Sequence, residues 1–211
     1  MNNIELANTP STPHTGGQGG YHIGVYGGSF NPIHTGHIAL ARHIMKTEKL
    51  DAIWFVVSPQ NPFKAGSGSL INDNVRLGLA QKALEGEEGI IASDVEFHLP
   101  KPSYMWNTLQ HLTALHPDTR FTLIIGADNW TAFDRWYHSG DILSHHHIIV
   151  YPRQGYSLSP ADMPPGVKLV PMPLYPVSST MIRDKIANGE GISGLVPKSI
   201  EDDVRKIYAT K

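Results

Sequence analysis

Two histidines set three residues apart behind a glycine-rich turn are the part of this chain best suited to chemistry. The stretch Gly27-Gly28-Ser29-Phe30-Asn31-Pro32-Ile33-His34-Thr35-Gly36-His37 follows a short apolar run, Ile23-Gly24-Val25-Tyr26. It precedes a helical pattern of Ile38, Leu40, Ala41, Ile44 and Met45, so it reads as the loop between a first buried strand and a first helix. Paired glycines let the backbone approach an anion, and Gly36 and His37 fall at the first turn of the helix, where N–H groups and the macrodipole favour negative charge. His34 and His37 then share one side of the helix entry and can both donate to phosphate oxygens. A second cluster is Val177-Ser178-Ser179-Thr180-Met181-Ile182-Arg183. Ser178 or Ser179 is an N-cap for a helix with an Ile182 and Ile186 stripe that Gly189 stops, and Arg183 lies one turn in, on the side of Ser179 and Thr180. Hydroxyls, N–H groups and a guanidinium thus collect at a second positive helix end.

The elements between these motifs must bring them together. Ala52-Ile53-Trp54-Phe55-Val56-Val57 is a continuous apolar run of strand length, as expected of a parallel strand covered on both faces. Strand, loop, helix and strand make a βαβ unit, whose right-handed crossover puts the glycine-rich loop at the C-terminal edge of the sheet. The loop from Ser58 to Lys64 leaves that same edge, which puts Lys64 within reach of a bound phosphate. Asn72 or Asp73 caps a helix with Val75, Leu79 and Leu84 that ends before Gly86, and a strand is expected over 90–97. After Pro100-Lys101-Pro102-Ser103-Tyr104-Met105 comes a helix with Leu109, Leu112 and Leu115 on one face. Phe121-Thr122-Leu123-Ile124-Ile125 is a further buried strand, and Asp128 leaves its C-terminal end, placed either to accept ribose hydroxyls or to cap the next helix. Arg153 leaves the strand 147–151 at the same edge and can approach a substrate there. An outer strand is expected over 167–170 and a structural amphipathic helix over 198–208. His145-His146-His147 invites a metal reading, but consecutive residues entering a strand alternate faces and do not converge on one ion; no metal site built by the protein is expected.

The 211 residues suffice for one sizeable core, and a net charge of -2 argues against a nucleic-acid partner, which usually needs a clustered basic surface. Cysteine is absent, which excludes disulfides and thiolate metal sites. No apolar run has the length of a membrane span, so no membrane partner is expected and the chain reads as cytoplasmic. Residues 1–20, rich in Asn, Thr, Ser, Pro and Gly, are expected to be a disordered tail ahead of a single domain over 21–211. No feature of the sequence specifies an oligomeric state.

The glycine-rich turn followed by His-x-Gly-His resembles the nucleotidylyltransferase superfamily signature, and its Gly-Gly-Ser-Phe-Asn-Pro-Ile-His form is similar to the bacterial nicotinate-nucleotide adenylyltransferase family. Ser-Ser-Thr-Met-Ile-Arg near the C-terminus resembles the same family's second motif, and the likeness runs in order from Tyr21 onward. The resemblance implies a Rossmann-like, mostly parallel α/β domain with helices on both faces. It implies adenylyl transfer from ATP to nicotinate mononucleotide, by in-line attack without a covalent enzyme intermediate, giving deamido-NAD and pyrophosphate. His34, His37 and Arg183 would be catalytic, and Gly27, Gly28, Ser29, Phe30, Ser179 and Thr180 would join them in holding ATP. Lys64, Tyr104, Met105, Asp128, Trp136, Tyr137 and Arg153 would hold the mononucleotide, with Trp136 stacking on the pyridine ring. Mg²⁺ would travel with ATP, as no carboxylate cage is evident. Two departures stand out: Met105 replaces a family threonine near the ring, and Asn31 stands where many relatives carry aspartate. Nicotinamide-mononucleotide and other small-molecule nucleotidylyltransferases, and a non-catalytic nucleotide sensor, are the alternatives. A class I aminoacyl-tRNA synthetase shares the histidine motif but fits neither the length nor the charge.

Overall fold

The computed structural model describes residues 20–59 and 70–209; Lys64 and nearly all of the expected N-terminal tail lie outside the described residues. The chain runs β1 (His22–Gly28), α1 (Thr35–Glu48), β2 (Ala52–Val57), α2 (Asp73–Ala83), β3 (Ile90–Ser93), α3 (Met105–Leu115) and β4 (Arg120–Gly126). It continues with α4 (Ala127–Trp130), α5 (Ser139–His145), β5 (His147–Tyr151), β6 (Val167–Leu169), α6 (Ser179–Ala187) and α7 (Glu201–Ala209). All six strands are parallel, in the order β3-β2-β1-β4-β5-β6. The expected parallel α/β architecture is therefore present, in one sheet.

Strand side chains alternate between two apolar layers, which is why these runs are apolar throughout. In β2, Ile53, Phe55 and Val57 face a core shared with α1, α2, α6 and α7, whereas Ala52, Trp54 and Val56 face one shared with α3 and α5. Two expected elements differ. β3 stops at Ser93, and residues 95–98 form a 3₁₀ turn, because the Ser93 hydroxyl accepts from the Val95 N–H and bends the chain out of the strand. The last helix opens as a 3₁₀ turn over Lys198–Ile200 behind Pro197.

Strand order reverses between β1 and β4, and open α/β sheets hold ligands in the crevice outside such a point. Pairing of β1 with β4 ends at Val25↔Leu123, although β1 continues to Gly28 and β4 to Gly126. The two strand ends therefore part, and the crevice opens between Gly27-Gly28 on one side and Gly126-Ala127-Asp128 on the other. Glycine leaves room at this edge for the Asp128 carboxylate, since a Cβ on Gly126 would lie 2.3 Å from Asp128 Oδ1.

Candidate active site

His34 is the N-cap of α1, and the two histidines cap each other. His37 N–H donates to His34 Nδ1 at 3.3 Å, and His34 N–H donates to His37 Nδ1 at 3.2 Å. This is a capping box built from imidazoles, and it stacks the rings with centroids 3.5 Å apart. Because each Nδ1 is an acceptor, the proton of each neutral ring sits on Nε2. The expectation that first-turn backbone N–H groups would bind an anion is corrected in part: His37 N–H is taken by His34, and Thr35 N–H donates to Leu195 O at 2.9 Å. Gly36 lets this arrangement close, since a Cβ there would sit 2.6 Å from Val177 Cγ1 and 3.2 Å from His34 Nδ1.

His34 is 4 % exposed, and burial, with a smaller contribution from the Arg153 charge, pushes its pKa down to about 3. The folded protein therefore holds His34 neutral while the unfolded chain takes up a proton near pH 6.5. Its contribution to stability is complete above pH 6.5 and is lost progressively as pH falls toward 3, with a limiting slope of about 1.4 kcal/mol per pH unit. Urea unfolding between pH 7 and 4.5 should show this slope reduced in His34→Asn; parallel slopes in the two proteins would contradict it.

The loop behind the histidines is held by its carbonyl groups. Arg76, 0 % exposed, donates to Ser29 O at one end of its guanidinium, to Ile71 O at 3.1 Å and to Asp73 Oδ1 at 2.7 Å. Arg183 Nη1 donates to Asn31 O at 2.7 Å and Nη2 to Thr180 Oγ1 at 3.1 Å. Ser179 donates to Pro32 O at 2.9 Å, while Ser178 is the cap of α6, accepting from Met181 N–H. Phe30, between two of these anchored carbonyls, is held at a left-handed φ of 44°, a conformation that costs a non-glycine residue and needs such support. Tyr208 of α7 donates to Asn31 Oδ1 at 2.7 Å, so the Asn31 amide has a partner in the last helix.

Opposite the histidines, Tyr104 caps α3 without a side-chain bond, and its ring lies 4.7 Å from that of Tyr137. Met105 begins α3, its terminal methyl against Gly27. Trp136 is half-buried, packed at the edge of the core rather than within it. Asp128 lies inside α4, whose N-cap is Gly126, so the capping alternative does not hold. Its Oδ1 is 3.4 Å from Arg153 Nε, and the Arg153 guanidinium lies 5.4 Å from the centre of the Tyr151 ring.

These groups line one cavity of about 660 Å³, the size of a small-molecule site. Of the residues singled out from the sequence, Gly27, Gly28, Ser29, Phe30, His34, His37, Tyr104, Met105, Asp128, Trp136, Tyr137, Arg153, Ser179, Thr180 and Arg183 are all in its wall. A second cavity of about 670 Å³ adjoins it and shares Tyr26, His34, His37, Asp128, Tyr151, Arg153 and Ser178. Among the described residues, Ser29 Oγ in the first wall is buried without a hydrogen bond, and Asp128 Oδ1 and Arg153 Nε, also buried, have only each other at 3.4 Å.

Sequence reasoning passed over Glu96, Arg135, and Tyr26 with Tyr151. Glu96 was expected within a strand; it is 2 % exposed, accepts from Thr108 Oγ1 at 2.9 Å, and burial raises its pKa against the opposing effect of the nearby Ser58, Thr108 and Ser103 hydroxyls. Arg135 had a local signal, its place directly before Trp136. The three consecutive histidines face different surroundings: His145 bonds Asp141 O, the buried His146 bonds Phe121 O, and His147 is exposed. Among the described residues no three metal-ligating side chains gather, and no helix is long and apolar enough to cross a membrane.

The fold is that of a nucleotidyl-transferring class, and the family model described as cytidylyltransferase-like matches residues 25–185. A Bacteroides fragilis protein named "Probable nicotinate-nucleotide adenylyltransferase" is 48% identical over 169 residues, spanning 80% of this chain and 84% of its own. A Bacteroides thetaiotaomicron protein of the same name is 43% identical over 183 residues, spanning 87% and 90%. The solved Plasmodium falciparum nicotinic acid mononucleotide adenylyltransferase complexed with NaAD has the same fold, with a TM-score of 0.71 at 19% identity, covering 90% of this chain and 93% of that one. The chain belongs to the nicotinate-nucleotide adenylyltransferase family.

Proposed function

We propose that the chain transfers the adenylyl group of ATP to nicotinate mononucleotide, giving deamido-NAD and pyrophosphate, in the cytoplasm. The observation that carries this reading is the position of the stacked His34–His37 pair, in the wall common to two adjoining cavities. Transfer between two bound substrates needs such a shared wall, because the attacking phosphate and the α-phosphorus must meet there. The cavity bearing Tyr104, Trp136 and Tyr137 offers flat aromatic faces for a pyridine ring. The other, with Tyr156, Met172, Leu174 and Tyr175, offers an apolar bed for the adenine ring. Leu174 is 55% and Tyr156 46% exposed, surfaces that a base would cover.

In this scheme a phosphate oxygen of the mononucleotide attacks the α-phosphorus, the bond from that phosphorus to the bridging α,β-oxygen breaks, and pyrophosphate leaves with its electron pair. The Nε2–H groups of His34 and His37 donate to the α- and β-phosphate oxygens, where negative charge grows. Arg183 and Thr180 add charge and a hydroxyl, and the carbonyl anchors of Arg76, Arg183 and Ser179 keep Gly27, Gly28, Ser29 and Phe30 in place against the triphosphate. Asp128 accepts ribose hydroxyls beside Arg153. The wall suits Mg²⁺ held by ATP, since its imidazoles, guanidinium groups and hydroxyls are donors for phosphate oxygens, which in turn hold the ion together with water. That ion would neutralise phosphate charge.

Pyrophosphate release from ATP with each candidate mononucleotide in turn tests the reading. Release should be fastest with nicotinate mononucleotide; none with any mononucleotide would favour the nucleotide sensor. Trp136→Ala should weaken mononucleotide binding by about 1 kcal/mol or more and leave ATP binding nearly unchanged, as read by titration. Equal losses for both ligands would mark Trp136 as a packing residue.

A further inference from the structure

We infer that Arg135 is a specificity-determining residue that reads the ring carboxylate of the acid mononucleotide, an assignment that rests on the substrate reading above. Arg135 closes a 3₁₀ turn, Phe133–Arg135, in which Phe133 is 3% exposed and Trp136 N–H donates to Phe133 O at 2.9 Å. The backbone on both sides of Arg135 is thus tied down, while its side chain is exposed and borders the first cavity, directly before Trp136 and Tyr137 in the chain.

Three arginines line that cavity, and two have occupations. Arg153 lies against Asp128 and over Tyr151, and Arg183 holds Asn31 O and Thr180. The Arg135 guanidinium has neither a hydrogen bond nor an ion pair among the described residues, so its whole fork of donors is open to a ligand. Neither carboxyl group in the wall is paired with it: Asp128 faces Arg153, and Glu96, 2% exposed, accepts from Thr108 Oγ1 at 2.9 Å.

What anion it meets follows from its neighbours. The groups suited to phosphate, His34, His37, Thr180 and Arg183, sit around the signature loop, whereas Arg135 belongs to the aromatic wall of Tyr104, Trp136 and Tyr137. Arg135 and Trp136 line the same cavity, so a ring stacked on Trp136 lies in the space that the guanidinium borders. Met105, in the same wall, packs its terminal methyl against Gly27 and offers no donor. A planar guanidinium pairs with a carboxylate through two parallel bonds, and with a carboxamide it meets NH₂ donors on one side.

The test compares kcat/KM for nicotinate and nicotinamide mononucleotides, at saturating ATP, in the full-length protein and in Arg135→Gln and Arg135→Lys. For a charge open to solvent, the acid-to-amide ratio should fall about five- to tenfold in Arg135→Gln and partly recover in Arg135→Lys. The KM for ATP should not move, and raising salt should lower the ratio in the parent protein more than in Arg135→Gln. Circular dichroism confirms that the exposed substitution leaves the fold intact. An unchanged ratio overturns the assignment, and so does an equal fall for both mononucleotides, which would place the guanidinium on the shared phosphate. Pyrophosphate release with neither mononucleotide in the parent protein would sink the substrate reading and this assignment with it.

Discussion

Replacing either signature histidine should lower kcat by roughly 10²- to 10³-fold, the loss typical of removing one donor aimed at a developing oxyanion. The mutual cap complicates a plain alanine substitution. Each imidazole accepts the other residue's backbone N–H through Nδ1, so His34→Ala also removes an N-cap of about 1 kcal/mol. Asparagine is itself a strong N-cap and lacks a donor at the Nε2 position, so His34→Asn separates the two roles. It should keep a melting temperature close to that of the parent while losing the same two to three orders of magnitude in turnover. His37→Ala should lose a similar factor with a small fall in stability. Thermal melts by circular dichroism and steady-state rates at saturating substrates decide the matter. Turnover near the parent value in both His34→Asn and His37→Ala would remove the histidines from the chemistry and leave them as a helix cap.

Arg76→Leu should be the most damaging substitution to the fold. Arg76 does not itself line the cavity, yet its guanidinium satisfies the carbonyls of Ser29, a wall residue, and of Ile71 from a fully buried position. Leucine fills part of the space and leaves both carbonyls without a donor, at about 1 to 3 kcal/mol for each buried group. A loss of roughly 3 kcal/mol or more is expected, which for a domain of this size lowers the melting temperature by about 6 to 12 °C. Arg76→Lys should recover little, because a single ammonium does not span the three acceptors that the planar fork reaches. Folded Arg76→Leu should also turn over more slowly, since Ser29 carries the left-handed Phe30 and the loop beneath the histidines. A melting temperature within about 2 °C of the parent, read against the same scale, would mean that the Ser29 carbonyl finds water and that the loop does not depend on this anchor.

Local chemistry made much of this protein legible from its sequence. Apolar runs of five or six residues announced β2 and β4 because a parallel strand covered on both faces tolerates no polar alternation. The glycines and the histidine spacing marked a phosphate loop, and Ser178, Asn72 and Gly189 marked helix ends, because caps and left-handed turns are set by residues adjacent in the chain. Fifteen residues singled out in this way, or by likeness to a family, do share one cavity wall. The element that failed locally, the strand expected over 90–97, failed because the Ser93 hydroxyl competes for the backbone, a choice that strand propensity does not register.

What only the tertiary structure decided are contacts between groups far apart in the chain. Arg76 with Ser29, Ser179 with Pro32, Arg183 with Asn31, and Tyr208 with Asn31 each join residues between 47 and 177 positions apart. No local pattern encodes them, since a buried carbonyl accepts from whichever donor the packed sheet and helices bring to it. The same holds for the division of labour at His34 and His37. Composition marks two imidazoles, but which nitrogen caps the helix and which carries the proton is set by ring stacking at 3.5 Å in a site with no room for a side chain on Gly36. The glutamate beside Thr108 and the arginine before Trp136, which has no partner among the described residues, belong to this second kind, because burial and pairing are properties of the folded chain and of no segment of it.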